Sequence, residues 1–125
     1  MAAEHTQYST PEWRELSTEE RALLRYLLER EAPHRVREID DLKIVARCGC
    51  GKCPTVMFGR TMTSVPITSK TGGRDVASYR GLNLDGVDVA ITLTERQNQL
   101  AELEAWAPAG GDIYRWPPLS SLERM

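Results

Sequence analysis

An alternating segment behind a tight turn constrains the fold of this 125-residue chain more than any other feature. Apolar side chains occupy every second position from 87 to 93, which is the pattern of a strand with one buried face. Asp85-Gly86 comes directly before this segment, and both residues tolerate the positive φ that a type I′ turn requires. The sequence therefore predicts a β-hairpin that joins residues 76–84 to residues 87–94.

Three further segments have the patterns of strands. Residues 42–48 alternate between apolar and other side chains, and residues 55–58 form an apolar run after a glycine-bearing turn. Residues 99–106 fit both a helix and a strand; we favour a strand, because the preceding hairpin brings this run beside it at little cost in loop entropy. Residues 59–74 are predicted to form a long loop, with room for a short edge strand, and the aromatic tail from Ile113 to Leu119 is expected to lie extended across the core.

The first helix is predicted from its cap. Ser17 and Glu20 have the spacing of a capping box, and four leucines then recur at helical spacing at positions 23, 24, 27 and 28. Pro33 ends this helix or starts another. Apolar side chains three residues apart at 36, 39 and 42 predict a short second helix after Pro33.

These elements predict an α+β fold, in which an N-terminal helical pair packs on an antiparallel β-meander sheet of about five strands. Residues 1–16 are polar and have no sustained period, so they are expected to form a flexible arm. Residues 17–125 then make a single domain with an extended C-terminal tail, since a chain of this length suits one hydrophobic core.

Charge and hydropathy exclude several classes of function. A net charge of −2 gives no overall attraction to a phosphate backbone, and we find no local basic patch, so nucleic-acid binding is not expected. No run approaches the roughly 18 apolar residues that span a bilayer, and residues 1–5 lack the features of a signal peptide. We expect a cytoplasmic protein that does not bind membranes.

All three cysteines of the chain fall within six residues, at Cys48, Cys50 and Cys53. In a reducing compartment an odd set of thiols is not a disulfide framework. One interpretation is a metal site, because three thiolates at this spacing can reach one Zn²⁺ from a glycine-bearing turn. A fourth ligand is not evident: His34 is the nearest candidate, Asp40 or Asp41 is another, and a homodimer could supply the ligand from its second subunit.

Two other interpretations stay open. Cys50 and Cys53 form a Cys-x-x-Cys unit in which Lys52 could stabilise a thiolate, which is typical of redox pairs. Such pairs usually begin a helix, whereas a strand is predicted after Pro54. Alternatively, the cysteines are structural, with Cys48 facing the core and the other two occupying a tight turn.

The sequence contains no arrangement that identifies catalytic residues. Both histidines lie within the first 34 residues, and no Ser-His-Asp set is supported. We therefore interpret the chain as a binding domain without catalysis of its own, which contacts an unknown protein partner through Trp13, residues 59–74 or the aromatic tail. The alternative is a zinc-binding or thiol-redox domain that uses the cysteine turn.

The segment from Leu16 to Trp106 also resembles a group of small, uncharacterised bacterial single-domain proteins. The matching motifs are Ser17-Thr18-Glu19-Glu20-Arg21, the cysteine turn from Cys48 to Val56 with its Cys-x-Cys-Gly-x-Cys-Pro pattern, the Gly86 hairpin and Leu100-Ala101-Glu102-Leu103-Glu104. The resemblance implies a shared fold and carries over no catalytic residue or cofactor. In that group a glycine directly precedes the Cys-Pro pair, whereas Lys52 intervenes here.

Overall fold

A computed structural model describes residues 9–60 and 73–125 and shows, within these ranges, one antiparallel sheet of seven strands with a single α-helix. The spatial order of the strands is β1-β2-β3-β6-β5-β4-β7. Their bounds are β1 Thr10–Arg14, β2 Lys43–Arg47, β3 Val56–Gly59, β4 Gly73–Leu82, β5 Asp88–Arg96, β6 Gln99–Trp106 and β7 Glu123–Arg124. The α-helix, α1, spans Thr18–Glu31, and two 3₁₀ helices span Pro33–Asp41 and Leu119–Ser121.

The capping box predicted for α1 is confirmed. The Glu20 backbone N–H donates to Ser17 Oγ at 3.1 Å, and the Ser17 N–H donates to the Glu20 carboxylate at 2.8 Å. The four predicted leucines are buried, and they share one core cluster with Ile44, Ile91 and Leu93 of the sheet. The cap therefore starts the helix, and the burial of its leucines attaches it to the sheet.

The predicted helical pair on about five strands is wrong. Residues 33–41 form a 3₁₀ helix, in which the Arg35 N–H donates to the Ala32 carbonyl and the Leu42 N–H donates to the Ile39 carbonyl. Apolar residues spaced by three match the 3.0 residues per turn of a 3₁₀ helix, so the pattern did not require an α-helix.

The sheet gains its additional strands from the two ends of the described chain. β1 takes up residues 10–14 of the predicted arm, where Pro11 pairs with Ala46, and β7 near the C-terminus pairs Glu123 with Arg80. Residues 1–8 of the predicted arm lie outside the described residues. Both added strands are short and lie at the edges of the sheet, where alternation is a weak signal.

The hairpin between β4 and β5 is confirmed, but its turn differs from the predicted type I′. Gly86 has a φ of +80° and donates its N–H to the Asn83 carbonyl, while Asn83 Oδ1 accepts from the N–H groups of Asp85 and Val87. Two consecutive positive φ angles, as in a type I′ turn, occur instead at Gln97 and Asn98 between β5 and β6. The favoured strand at residues 99–106 is confirmed as β6.

The C-terminal tail packs on the core. Ile113, Trp116 and Leu122 are buried and belong to the same cluster as the leucines of α1. Most of the predicted loop at residues 59–74 lies outside the described residues, and β3 and β4 flank it. In the described part of the chain, no helix has both the length and the apolar character needed to cross a membrane.

Candidate metal centre

The cysteine turn connects two antiparallel neighbours, β2 and β3, as the sequence predicted. The Cys48 N–H donates to the Thr55 carbonyl at 3.2 Å and so closes the base of the turn. Within the turn, Gly51 has a φ of +77° and donates its N–H to the Cys48 carbonyl at 3.3 Å. Any residue other than glycine would strain the backbone at this positive φ. Gly51 therefore permits the bend that brings the thiols together.

The three sulfur atoms lie close enough for one metal ion. Cys48, Cys50 and Cys53 place their Sγ atoms within 4.8 Å of one another, and this group contains no other described histidine, cysteine, aspartate or glutamate. A tetrahedral zinc ion with Zn–S bonds of about 2.3 Å would hold its sulfurs roughly 3.8 Å apart. A contraction of about 1 Å or less is therefore enough to bring the sulfurs to ligand distance.

The thiols differ in exposure, and this difference indicates which side of a bound metal would face solvent. Cys48 is buried at the end of β2, Cys53 is partly buried, and Cys50 is exposed. A metal bound by all three would rest on the sheet through Cys48 and face solvent beside Cys50.

Hydrogen bonds and burial also give the thiols of Cys48 and Cys50 different pKa values. Burial raises the pKa of Cys48 to about 12. Burial also opposes ionisation of Cys50, but the backbone N–H groups of Cys53 and Lys52 donate to its Sγ at 3.2 and 3.5 Å and lower the pKa of Cys50 to about 7. Cys50 is thus half ionised near neutral pH, whereas a metal would have to displace the proton of Cys48.

An ion pair joins the cysteine turn to the C-terminal tail. Lys52 Nζ lies 3.2 Å from Asp112 Oδ1, and this contact raises the pKa of Lys52. The pair is exposed, so we attribute to it a role in orienting the turn and not in stabilising the fold.

His34, the fourth ligand suggested by the sequence, lies in a different environment. It lines a cavity of about 560 Å³ together with Glu38 and Asp75, and no cysteine lines that cavity. Asp40 and Asp41, the other nearby candidates, are both exposed, and Asp40 Oδ1 lies 3.5 Å from Arg21 Nη1. The position of His34 gives no support to its role as a ligand of the cysteine site.

Sequence reasoning missed a network of charged side chains beside His34. Arg35 pairs with Glu38 at 2.7 Å and with Glu95, which in turn accepts from Arg74. Hydrogen bonds from Arg35 and then Arg74 lower the pKa of Glu95, so the stabilising effect of this ionised carboxylate is present above its unfolded pKa and is lost as the pH falls through its folded pKa. Arg35 and Glu95 are 60 residues apart, and no local pattern could have paired them.

The difference in acidity predicts an order of alkylation in the metal-free protein. With iodoacetamide, we expect Cys50 to react first, with a rate that is half-maximal near pH 7, and Cys48 to react most slowly. Peptide mass spectrometry after timed quenching measures each thiol separately. Equal rates for Cys48 and Cys50 would contradict the burial and hydrogen bonding described here.

A protein family described as a domain of unknown function (DUF6984) matches residues 13–117. No curated protein and no solved structure matches the chain.

Proposed function

The chain belongs to the DUF6984 family, a domain of unknown function, and we propose from the geometry of its cysteine turn that it is a zinc-binding domain. The ligands are Cys48, Cys50 and Cys53. The observation that carries the proposal is the approach of their three sulfur atoms to within 4.8 Å of one another.

The chemistry of the donors favours zinc over harder ions. Thiolates are soft ligands that select Zn²⁺, Cu⁺ or iron–sulfur clusters, whereas Mg²⁺ and Ca²⁺ prefer oxygen. The backbone N–H groups that donate to Cys50 Sγ stabilise negative charge on this sulfur before any metal binds. A turn that already favours a thiolate needs less reorganisation when it receives a cation.

Three protein ligands leave one tetrahedral position for a water molecule or an external group. Structural zinc sites usually have four protein ligands, and sites with three keep an open position. The exposure of Cys50 supports an opening on the solvent side. In a dimeric form of the same site, a second copy of the chain donates the fourth ligand.

A thiol-redox function has weaker support. The acidity and exposure of Cys50 suit an attacking thiol, but redox pairs of this spacing gain their acidity from a helix N-terminus. Here the residues after Pro54 lead into β3. The third cysteine in the cluster also has no role in a two-cysteine exchange, whereas it adds a ligand to a metal site.

Native mass spectrometry of protein purified without an affinity tag tests the zinc proposal. We expect one zinc ion for each chain after zinc is added and excess metal is removed, and we expect a chelator to release it. A free-thiol count should show Cys50 and Cys53 protected only in the zinc-bound protein, since Cys48 is buried with or without metal. If the chain retains no zinc under these conditions and Cys50 and Cys53 stay accessible, the proposal is wrong.

Contact with a protein partner stays a prediction. Trp13 and Tyr114, which lie in two of the segments predicted to make such contact, expose 40% and 56% of their surface. Exposed aromatic side chains are common at protein interfaces, but these two do not identify a partner. The same mass spectra report whether the chain is a monomer or a homodimer.

A further inference from the structure

A cleft lies directly beside the cysteine turn. Its volume is about 230 Å³, and Lys52, Pro54 and Thr55 of the turn and its exit form one side. The first turn of α1 and the C-terminal tail contribute the remaining sides through Glu19, Glu20, Tyr114, Arg115 and Trp116, and β1, β2 and β3 contribute Arg14, Arg47 and Val56. The cleft is thus assembled from six structural elements.

Charges in the lining of the cleft are unequal. The lining contains four cationic side chains and two carboxylates. Glu20, one of the carboxylates, already accepts two hydrogen bonds of 2.9 Å from the Arg14 guanidinium and a third from the Ser17 N–H. Lys52 and Arg115 also have carboxylate partners outside the lining, Asp112 at 3.2 Å and Asp85 at 3.0 Å. Arg47 has the longest ion-pair contact of the four cations, so it is the cation best able to take a negative ligand.

Arg47 provides the second observation. Its Nε is buried and has no hydrogen-bond partner among residues 9–60 and 73–125. Nη1 of this guanidinium lies 4.0 Å from a carboxylate oxygen of Glu12, which is a long contact for an ion pair. A buried donor without an acceptor is costly, and an anion in the cleft would supply the acceptor.

The shape and the other walls of the cleft limit the ligand. The volume is below the range of pockets for drug-sized molecules, so it suits a phosphate-sized group with few further atoms. Trp116 is buried in the wall and Tyr114 is exposed. These rings offer an apolar surface to a small carbon skeleton next to the charged group.

We propose that this cleft binds a small oxyanion, either phosphate or the carboxylate of a small organic acid, with Arg47 as its principal contact and Lys52 beside it. The inference does not rest on zinc binding, because none of the three cysteines lines the cleft. Since Lys52 belongs to both features, however, a bound anion would lie next to the solvent side of the cysteine turn.

Isothermal titration calorimetry with inorganic phosphate tests the inference, with ionic strength held constant by sodium chloride. We expect saturable binding of one phosphate per chain, at least tenfold weaker in Arg47→Gln and unchanged in Arg25→Gln. Arg25 is a matched control because it is an exposed arginine outside the cleft lining, and its contact with Glu29 is long, at 4.0 Å. A parallel titration with sodium acetate distinguishes a carboxylate ligand from phosphate.

A second variant keeps the test informative if Arg47→Gln does not fold. Lys52 is exposed on the turn, so Lys52→Gln should fold normally and still weaken binding at least threefold. Each titration is repeated after removal of metal by a chelator, and the affinity should persist. Binding that does not saturate, or that is equal in the wild-type, Arg47→Gln and Lys52→Gln proteins, would overturn the inference, whereas failure to retain zinc would leave it standing.

Discussion

The Cys50→Ser variant is expected to bind zinc on the order of 100-fold more weakly than the wild-type protein. The binding free energy of a structural zinc site with four ligands is about 10–16 kcal/mol, so the loss of one ligand costs a few kcal/mol. At a zinc concentration of 100 times the wild-type dissociation constant, zinc stabilises the wild-type protein by about 2.7 kcal/mol. For a chain of this size that raises the Tm by roughly 10 °C. The variant should gain only about 1–2 °C under the same conditions.

Thermal melts with and without zinc measure this difference. The metal-free variant should melt close to the metal-free wild-type protein, since the Cys50 side chain is exposed and the core cluster lies elsewhere. His34→Ala is the matched control and should keep the full zinc-dependent shift, because His34 lines a separate cavity. A zinc-dependent shift that survives in Cys50→Ser, or disappears in His34→Ala, would contradict the proposed ligand set.

Truncation of Trp116 to alanine is expected to lower the free energy of unfolding by about 3–5 kcal/mol, through lost burial and the cavity that remains. Only 4% of this side chain is exposed, and it belongs to the core cluster. The expected decrease in Tm is roughly 15 °C, measured by circular dichroism in the absence of zinc.

Two controls separate the docking of the tail from a general effect of losing an aromatic ring. Trp106→Ala removes a tryptophan that is 43% exposed and should cost about 1 kcal/mol or less. Gly81→Ala leaves Trp116 intact, but the new Cβ would lie 2.5 Å from Ser121 Oγ, 2.9 Å from Leu122 Cδ2 and 3.0 Å from Pro117 Cβ. The Ser121 and Leu122 side chains can rotate but the Pro117 ring cannot, so the tail should shift and become more susceptible to proteases. If Trp116→Ala and Trp106→Ala lose equal stability, the tail does not contribute to the core as described.

Interactions between residues that are close together along the chain could be predicted from the sequence. The capping box at Ser17 and the spacing of the leucines after it predicted α1, and alternation behind Gly86 predicted the β4–β5 hairpin. The cysteine cluster was predictable for the same reason, since three thiols within six residues cannot lie far apart. The alternation of residues 42–48 also predicted that Cys48 faces the core, whereas the difference in exposure between Cys50 and Cys53 depends on how the turn lies against the sheet.

The errors concern elements whose sequence patterns were ambiguous or whose partners are distant. A period of three at residues 36–42 suited both an α-helix and the observed 3₁₀ helix, and hydrogen bonding in the folded chain decided between them. β1 and β7 are strands only because β2 and β4 lie beside them. Their own residues carry little alternation, so a count of strands from local patterns was too low.

The sequence by itself therefore determined the main helix, the hairpins and the proximity of the three sulfurs, because each depends on residues that are neighbours along the chain. Only the tertiary structure decided the number of strands, the pairing of Arg35 with Glu95 and the cleft beside the cysteine turn. These features join segments up to about a hundred residues apart, and the sheet register that brings such segments together is fixed by burial of the whole core.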